Sequence, residues 1–406
     1  MQATSQPSRR SLRGLDWFVF FVADVQTGFG PFVAIYLTTQ KWTQLDIGLI
    51  LSLAGFVALL GQMPGGALVD AARSERFLAG VAVAGISASA LAYALWPSYP
   101  VVLAAATLQA ASSCVLGPAM AAISLGLVGH GGIAERLGRN ARFASIGNGV
   151  AAAAMGALGY LFSARAVFVV TALLFIPTIL ALRMIADREI DPDQAHGGKP
   201  VRATDEQRSL MPAPVALRWQ PLIIFGACIL LFHLANSALL PLMGSSLTAR
   251  SPEWSTVLIA ACIIIPQLVV ALISPWVGHQ AKVWGRRPLL LIGLAALPVR
   301  GVLFATVTDP WLIVVVQVLD GVTAASIGVL VPLIIADLTR GTGHFNLGQG
   351  IVGSTTGVGS IASTTLGGYL TDHFGSMIAF LGLGVSAALA FLFAIALVRE
   401  TKTEES

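Results

Sequence analysis

The sequence predicts an all-α integral membrane protein, with twelve transmembrane helices arranged as two pseudo-symmetric six-helix bundles. Three observations carry that expectation. The 406 residues are 56% hydrophobic and only 11% charged, with a mean hydropathy of +0.80; a soluble domain charges about a quarter of its residues to cover its surface. The apolar residues fall in long uninterrupted runs, and an α-helix needs about 20 such residues to cross the hydrocarbon of a bilayer. The two halves of the chain also match each other at a spacing of about 210 residues, and membrane folds are often built from internal repeats.

Taken in order, the runs lie at 15–38, 46–69, 77–96, 100–127, 143–162 and 166–185, then at 220–247, 254–277, 288–308, 311–335, 346–370 and 376–398. Many contain glycine or proline, which neighbouring helices tolerate inside a membrane bundle. The first run is too long for the h-region of a cleavable signal and lacks a small-x-small cleavage site, so it is expected to remain as a span. Between the sixth and seventh runs, Ala186 to Arg218 carries Asp187, Glu189, Asp191, Asp193, Asp205 and Glu206 among glycines and prolines. That composition predicts a flexible linker. The expected organisation is therefore a first bundle over 1–185, a cytoplasmic linker over 186–218 and a second bundle over 219–406.

Lysine and arginine set the orientation, because they accumulate in cytoplasmic connections. With the N-terminus inside, Lys41, Arg165 and Arg250 fall on outer loops and Arg300 lies within a span. All the other lysines and arginines fall on inner segments. This asymmetry predicts a multi-pass protein of the inner or plasma membrane with both termini cytoplasmic. Cys114, Cys228 and Cys262 each sit inside an apolar run, so neither a disulfide framework nor a metal site is expected. No cofactor and no nucleic-acid partner is called for; the expected partners are the lipid bilayer and a small solute, and the expected state is a monomer.

The internal repeat aligns TLQAASSCVLG (Thr107–Gly117) with QVLDGVTAASIG (Gln317–Gly328), pairing Gln109 with Asp320. Gly147-Asn148-Gly149 of the fifth run pairs with Gly357-Val358-Gly359 of the eleventh. In the first and seventh, Pro31 pairs with Pro241 and Gln26 with Asn236. The polar turns repeat as well. GGALVDAARSER (Gly65–Arg76) joins runs two and three, and GHQAKVWGRRP (Gly278–Pro288) joins runs eight and nine. A phosphate-cradling loop is excluded for the latter, since there is no Gly-x-x-x-x-Gly-Lys-Ser/Thr run and no preceding strand.

These turns resemble the signature of the major facilitator superfamily, Gly-x-x-x-Asp-(Arg/Lys)-x-Gly-Arg-Arg, which joins the second and third helices and recurs weakly in the second half. Gly66 and Asp70 match in the first copy, while Ala71, Arg73 and Ser74 replace the usual basic, glycine and arginine positions. In the second copy Gly278, Gly285, Arg286 and Arg287 match, and Lys282 stands where the acid belongs. The resemblance covers the whole chain and implies a secondary transporter working by alternating access. It further implies that Asp70 contacts the start of the eleventh helix near Phe345–Leu347, where a carboxylate suits the positive end of the helix dipole. The arginines of both turns are either part of that gate or simple positive-inside anchors. The family pattern also puts helices one, four, seven and ten around the central cavity, with three, six, nine and twelve outside.

Charges deep in a membrane are costly unless paired and mark functional candidates. Asp24 lies about nine residues into the first run, roughly 14 Å deep at 1.5 Å per residue. Arg300 and Asp320 lie at similar depths on consecutive antiparallel helices, which predicts an ion pair between them, either a structural brace or part of a proton or substrate switch. Gln317, Asp320 and Thr323 recur at i, i+3, i+6 and share one polar face. Gln26 is expected to face the cavity and Asp24, two residues away, to point towards neighbouring helices, as a proton carrier or a structural acid. His233 shares a face with Asn236 and is either a titrating group or a packing residue. Gln109 with Ser112 and Ser113, and Gln349 with Thr356 and Ser360, complete the polar set.

Amides and hydroxyls with few fixed charges suit a neutral, zwitterionic or amphipathic small solute. The predicted function is thus secondary active transport of a small organic solute, coupled to protons through Asp24, Asp320 or His233, in an unassigned direction. The antiporter subgroup's Gly-Pro pair in span five is absent, which weighs against drug export. Alternatives are an uncoupled facilitator or a receptor built on a transporter fold. An enzyme is not expected, because neither a His-Glu-x-x-His nor a Gly-x-Ser-x-Gly motif occurs.

Overall fold

The computed structural model describes residues 7–27, 30–198, 217, 219–250 and 253–402. Among these the chain is helical, with no β-strand. In chain order the helices are α1 (Arg9–Thr27), α2 (Gly30–Thr39), α3 (Gln44–Asp70), α4 (Glu75–Leu95), α5 (Tyr99–Leu161), α6 (Ala164–Leu173), α7 (Phe175–Met184) and α8 (Pro192–Ala195). They continue as α9 (Trp219–Asn236), α10 (Leu239–Arg250), α11 (Ser255–Val283), α12 (Arg286–Thr306), α13 (Pro310–Leu338), α14 (Phe345–Phe374) and α15 (Ser376–Leu397).

Among the described residues, nine helical stretches are long and apolar enough to cross a membrane. Helix α5 counts once but passes twice. Its 63 residues would extend roughly 95 Å at 1.5 Å per residue, about three times the hydrocarbon thickness. It turns back at Gly129, whose φ of 64° and ψ of 180° interrupt the helix. The connection expected between 127 and 143 is therefore helical from the break onward. The other two passes are α1 with α2, whose hydropathy is diluted by arginines and aspartates, and α14, rich in glycine and hydroxyl residues. With these the passes number twelve. Large apolar side chains such as Leu272, Val385 and Leu60 stand well exposed, as a surface solvated by lipid requires.

The contacts divide the chain into two compact units. The first holds Met1–Arg136, Phe143–Leu217 and Thr339–Gly350; the second holds Leu137–Arg142, Arg218–Leu338 and Ile351–Ser406. In the first unit α1 packs on α7 and α4 on α6. The Tyr36 hydroxyl donates to the Tyr93 carbonyl at 2.9 Å, and the Tyr93 ring stacks on Phe168 with centroids 5.2 Å apart. Residues 187–198 depart from the flexible linker expected of them. A 3-10 turn at Asp187–Glu189 leads into α8, the Asp191 N–H donates to the Gly126 carbonyl at 3.0 Å, and the Asp191 carboxylate caps Asp193 and Gln194. The acids that look solvated in the sequence are held by specific partners. Residues 199–216 of the linker lie outside the described residues.

In the second unit α12 packs on α15 and α9 on α15, repeating the α4–α6 and α1–α7 pairings of the first. The pass formed by α9 and α10 breaks at Ser237–Ala238. There the Ala238 N–H donates to Ser363 Oγ at 2.9 Å, and the Ser237 and Ser360 hydroxyls meet at 2.8 Å. In hydrocarbon a broken helix needs such substitutes for its lost backbone bonds. The repeat is visible at two backbone crossings. A Cβ added at Gly147 would lie 2.4 Å from the Phe20 carbonyl, and one at Gly359 would lie 2.4 Å from the Leu230 carbonyl. Gly147 thus corresponds to Gly359, two residues out of register with the alignment that pairs it with Gly357.

Candidate functional site

A buried polar cluster lies within the membrane-spanning part of the second unit. Helix α12 carries Arg300, only 1% exposed, between α9 and α13. Its Nη1 donates to the Asp320 carboxylate of α13 and to Asn236 Oδ1 of α9, the latter at 2.8 Å. The guanidinium also lies over the Phe304 ring, 5.3 Å from its centroid. Its Nε has no hydrogen-bond partner among the described residues. Gln317, one turn before Asp320, is fully buried, and neither amide atom makes a hydrogen bond of ordinary geometry; the Cys262 thiol is its polar neighbour. Unmet buried donors and acceptors cost about 1–3 kcal/mol each. The cluster therefore has capacity for a further hydrogen-bonding group, and Asp320, at 21% side-chain exposure, is more open than Arg300 or Gln317.

His233, one turn before Asn236 on α9, does not join it. Its Cβ abuts the backbone of α14 at Gly359, and its ring stands edge-on to Phe232 with centroids 4.8 Å apart. In the first unit Asp24 is buried, without a hydrogen bond or ion pair among the described residues, whereas Gln26 is exposed. Gln109 donates through Nε2 to Ser113 Oγ at 3.3 Å. Ser112 turns to α4 instead, its Oγ packed where a Cβ on Gly85 would come within 2.3 Å. Gln349 belongs to the first unit, in the opening turns of α14, with its Nε2 buried and unbonded. The polar residues singled out in the sequence thus form several small groups.

At the basic end of the first unit, Asp70 closes α3 and faces the start of α14. Its Oδ2 accepts the Leu347 N–H at 2.7 Å, and its Oδ1 accepts the Asn346 N–H at 3.1 Å and the Asn346 side-chain amide at 2.9 Å. Gly66 permits this approach, because a Cβ there would sit 2.1 Å from the Asn346 carbonyl oxygen. Arg73 is exposed in the turn after α3.

The second turn solves the same problem with different residues. Gly285, at φ +95°, starts α12, and the acid that Lys282 fails to supply comes from the chain's end. Glu400 accepts the Arg286 and Arg287 N–H groups, each at 2.9 Å. Arg286 is 2% exposed and binds Asp337 through Nε at 2.9 Å and the Ala281 carbonyl through Nη1 at 2.9 Å, so it is no simple headgroup anchor. Arg287 donates to the Ile395 carbonyl at 2.7 Å. Gly278 lies under Gly138, whose added Cβ would come within 3.3 Å of the Gly278 Cα.

Four further acids were missed by sequence reasoning: Glu400, Asp337, Asp16 and Glu75. Asp16 pairs with Arg136 at 2.6 Å, both side chains 4% exposed. Glu75 lies 2.9 Å from His196 Nε2. The His196 carbonyl accepts the Phe345 N–H at 3.0 Å and Asn346 Nδ2 donates to the Ala195 carbonyl at 3.2 Å, so residues 195–197 line the same helix start as Asp70. The Glu75 carboxylate beside Nε2 holds the His196 imidazole above its ordinary value, against burial and with help from the charges of Asp70 and Asp193. No cluster of three or more His, Cys, Asp or Glu fit to hold a metal occurs among the described residues.

Comparison with known proteins extends these observations. The description MFS_1 like family matches residues 12–382. An uncharacterized MFS-type transporter of Mycobacterium tuberculosis (strain ATCC 25618 / H37Rv) is 37% identical over 397 residues, 97% of this chain and 94% of its own. Tetracycline resistance protein, class B, of Escherichia coli is 30% identical over 138 residues, a third of either chain. Among solved structures, the human organic anion transporter MFSD10 superimposes with a TM-score of 0.71 at 14% identity, over 96% of this chain and 100% of that one. A structure of the Escherichia coli fucose:proton symporter, FucP, gives 0.70 at 14% identity, over 95% and 98%. At that identity the two structures show a common fold.

Proposed function

The chain belongs to the MFS_1 like family and is an MFS-type transporter, and from that premise we propose that it moves a small organic solute across the inner or plasma membrane by alternating access, coupled to protons. One observation carries the coupling: a buried arginine, Arg300, whose one carboxylate partner among the described residues, Asp320, keeps 21% of its side chain exposed. Protonating Asp320 would remove the charge that compensates Arg300. The guanidinium and the unbonded Gln317 amide would then favour a solute group that accepts hydrogen bonds. Asn236, already bonded to Arg300, would transmit the change to α9. Asp24 and His233 are further coupling groups in this reading, and Gln26, Gln109, Ser112 and Gln349 are solute contacts.

Asp70 with Gly66, and the turn holding Gly285, Arg286 and Arg287, serve as gates in this reading, which assigns both turns and both termini to the cytoplasm. A monomer suffices. The reading is supported by a sequence relative described as a tetracycline resistance protein, and by proteins of the same fold described as an organic anion transporter and a fucose:proton symporter, the last of which names a proton.

The test is flux. Ligands found by thermal shift on the purified protein are followed into liposomes with and without an imposed pH gradient. Gradient-driven accumulation is expected for the parent protein and its loss for Asp320→Asn. Flux indifferent to the gradient would make the protein a facilitator, and binding without flux would make it a receptor.

A further inference from the structure

A groove of about 390 Å³ runs between α4 and α7, within the first unit and apart from every residue assigned above to solute or proton. Its trough is apolar. Phe77, Gly80, Val81 and Ala84 of α4 follow i, i+3, i+4, i+7 spacing and so share one face; Ile179 and Leu182 of α7 face them. The walls stand open to lipid, with Phe77 at 70% and Val81 at 51% exposure. Only one end of the groove is polar, and it carries two guanidinium groups, Arg76 and Arg183, against one carboxylate, Asp187.

The two arginines differ. Arg76 is already engaged, with Asp187 at 2.5 Å and the Ile185 carbonyl at 2.5 Å. Arg183, in the last turn of α7, has no hydrogen bond or ion pair among the described residues. Across the groove mouth, Ser74 Oγ accepts the Phe77 N–H at 3.2 Å, which leaves the hydroxyl proton free to donate outward. Free cationic and hydroxyl donors thus stand where an apolar, lipid-facing trough ends.

We propose that this groove binds one anionic phospholipid, its acyl chain along the α4–α7 trough and its phosphate held by Arg183 and the Ser74 hydroxyl. Charge fixes the choice of headgroup. In a bilayer the trough offers a chain no apolar gain over the surrounding lipid, so selection falls to the polar end. There the net positive charge repels the ammonium of a zwitterionic headgroup and favours a headgroup that is anionic overall. The proposal is independent of what the protein transports.

The test uses the full chain in neutral detergent, equilibrated with equimolar phosphatidylglycerol and phosphatidylcholine and examined by native mass spectrometry. The parent protein is expected to retain a single phosphatidylglycerol in preference to phosphatidylcholine. Arg183→Ala and Arg183→Gln should lower that preference about fivefold, the effect of one basic residue at an anionic surface, while Arg183→Lys preserves it. Ala84→Trp, which fills the trough and leaves the charges in place, should lower retention of lipid at the site. Inorganic phosphate at millimolar concentration should not displace the lipid. Equal retention of the two lipids by the parent, an unchanged preference in both Arg183 variants, or displacement by free phosphate overturns the proposal.

Discussion

The carboxylate of Asp70 caps a helix that starts 275 residues downstream, its Oδ2 accepting the Leu347 N–H at 2.7 Å while Oδ1 takes two donors from Asn346. Hydrogen bonds to a charged group contribute about 1.5–3 kcal/mol, and the positive end of the helix dipole adds to them. Asp70→Asn keeps the side chain's size but loses the charge and one acceptor. Opening of the first turn of α14 should become at least about tenfold more frequent, since 1.4 kcal/mol is a factor of ten. Hydrogen exchange at the Asn346 and Leu347 amides reads this directly, and Gly66→Ala should accelerate it in the same direction through the clash with the Asn346 carbonyl. Protection unchanged in both variants would show that the contact does not hold the helix start.

Arg300 and Asp320 separate the brace from the switch. Removing one member of a buried pair costs about 3–5 kcal/mol, because the other is left uncompensated, whereas replacing both with apolar residues is often neutral. Arg300→Met should therefore lower the midpoint of thermal unfolding sharply, and Arg300→Met/Asp320→Leu should recover most of the loss. Driven flux should be absent from both. A double variant that regains flux together with stability would leave the pair a brace and nothing more.

Hydropathy made the passes legible because a bilayer imposes one length on every one of them. Depth made the Arg300–Asp320 juxtaposition legible for a similar reason, as two charges equally far from the ends of adjacent helices have few other partners. What stayed hidden depends on long-range contacts. The residues after Gly129 look like a loop because they are polar, yet they continue as helix, where Arg136 reaches Asp16. Glu400 sits in a hydrophilic tail that resembles any solvated terminus, and no spacing links it to Arg286. The acids of residues 187–193 signal flexibility by composition, whereas the Gly126 carbonyl that takes the Asp191 N–H and the Arg76 that pairs with the Asp187 carboxylate lie far away in sequence. The fine register of the repeat was hidden as well, because glycines two apart are interchangeable by eye and only the crossing at Phe20 or Leu230 distinguishes them.

Glu400 supplies an acid-sensitive element. Burial pushes its carboxyl up, but N–H donors from Arg286, Lys402, Arg287 and Thr401 outweigh burial and hold it below its ordinary value of 4.5. A depressed carboxyl contributes stability that is present above the unfolded value and lost as pH falls through the folded one. Thermal stability should therefore hold from pH 7 to 5 with respect to this group and decline below about 4.5. Glu400→Gln should lower the midpoint at pH 7 by about 2 °C, the effect of losing roughly 1 kcal/mol of helix cap, and should flatten part of the acid decline. Gly285→Ala should cost more, because its Cβ would enter the Glu400 carboxylate and Gly285 holds φ at +95°. A glutamine variant matching the parent at every pH would remove Glu400 from the fastening of α12.

His196 gives the opposite dependence. Its Nε2 lies 2.9 Å from the buried Glu75 carboxylate, while its carbonyl takes the Phe345 N–H and the neighbouring Gly197 carbonyl takes the Gly341 N–H at 2.6 Å. The adjacent Glu75 carboxylate is the chief cause that raises its pKa above the ordinary 6.5; burial opposes it, and the Asp70 and Asp193 charges add to the rise. A raised imidazole contributes stability that is complete below the unfolded value and is lost as pH rises through the folded one. The docking of residues 195–197 on the start of α14 should accordingly loosen as pH climbs above 6.5. Exchange at the Phe345 and Gly341 amides, corrected for the intrinsic pH dependence of exchange, should rise over that interval in the parent protein. In His196→Gln the corrected rates should be higher at pH 6 and change little with pH. Equal slopes in the two proteins would mean that the segment is held by its backbone bonds alone, with the imidazole charge contributing nothing to the hold.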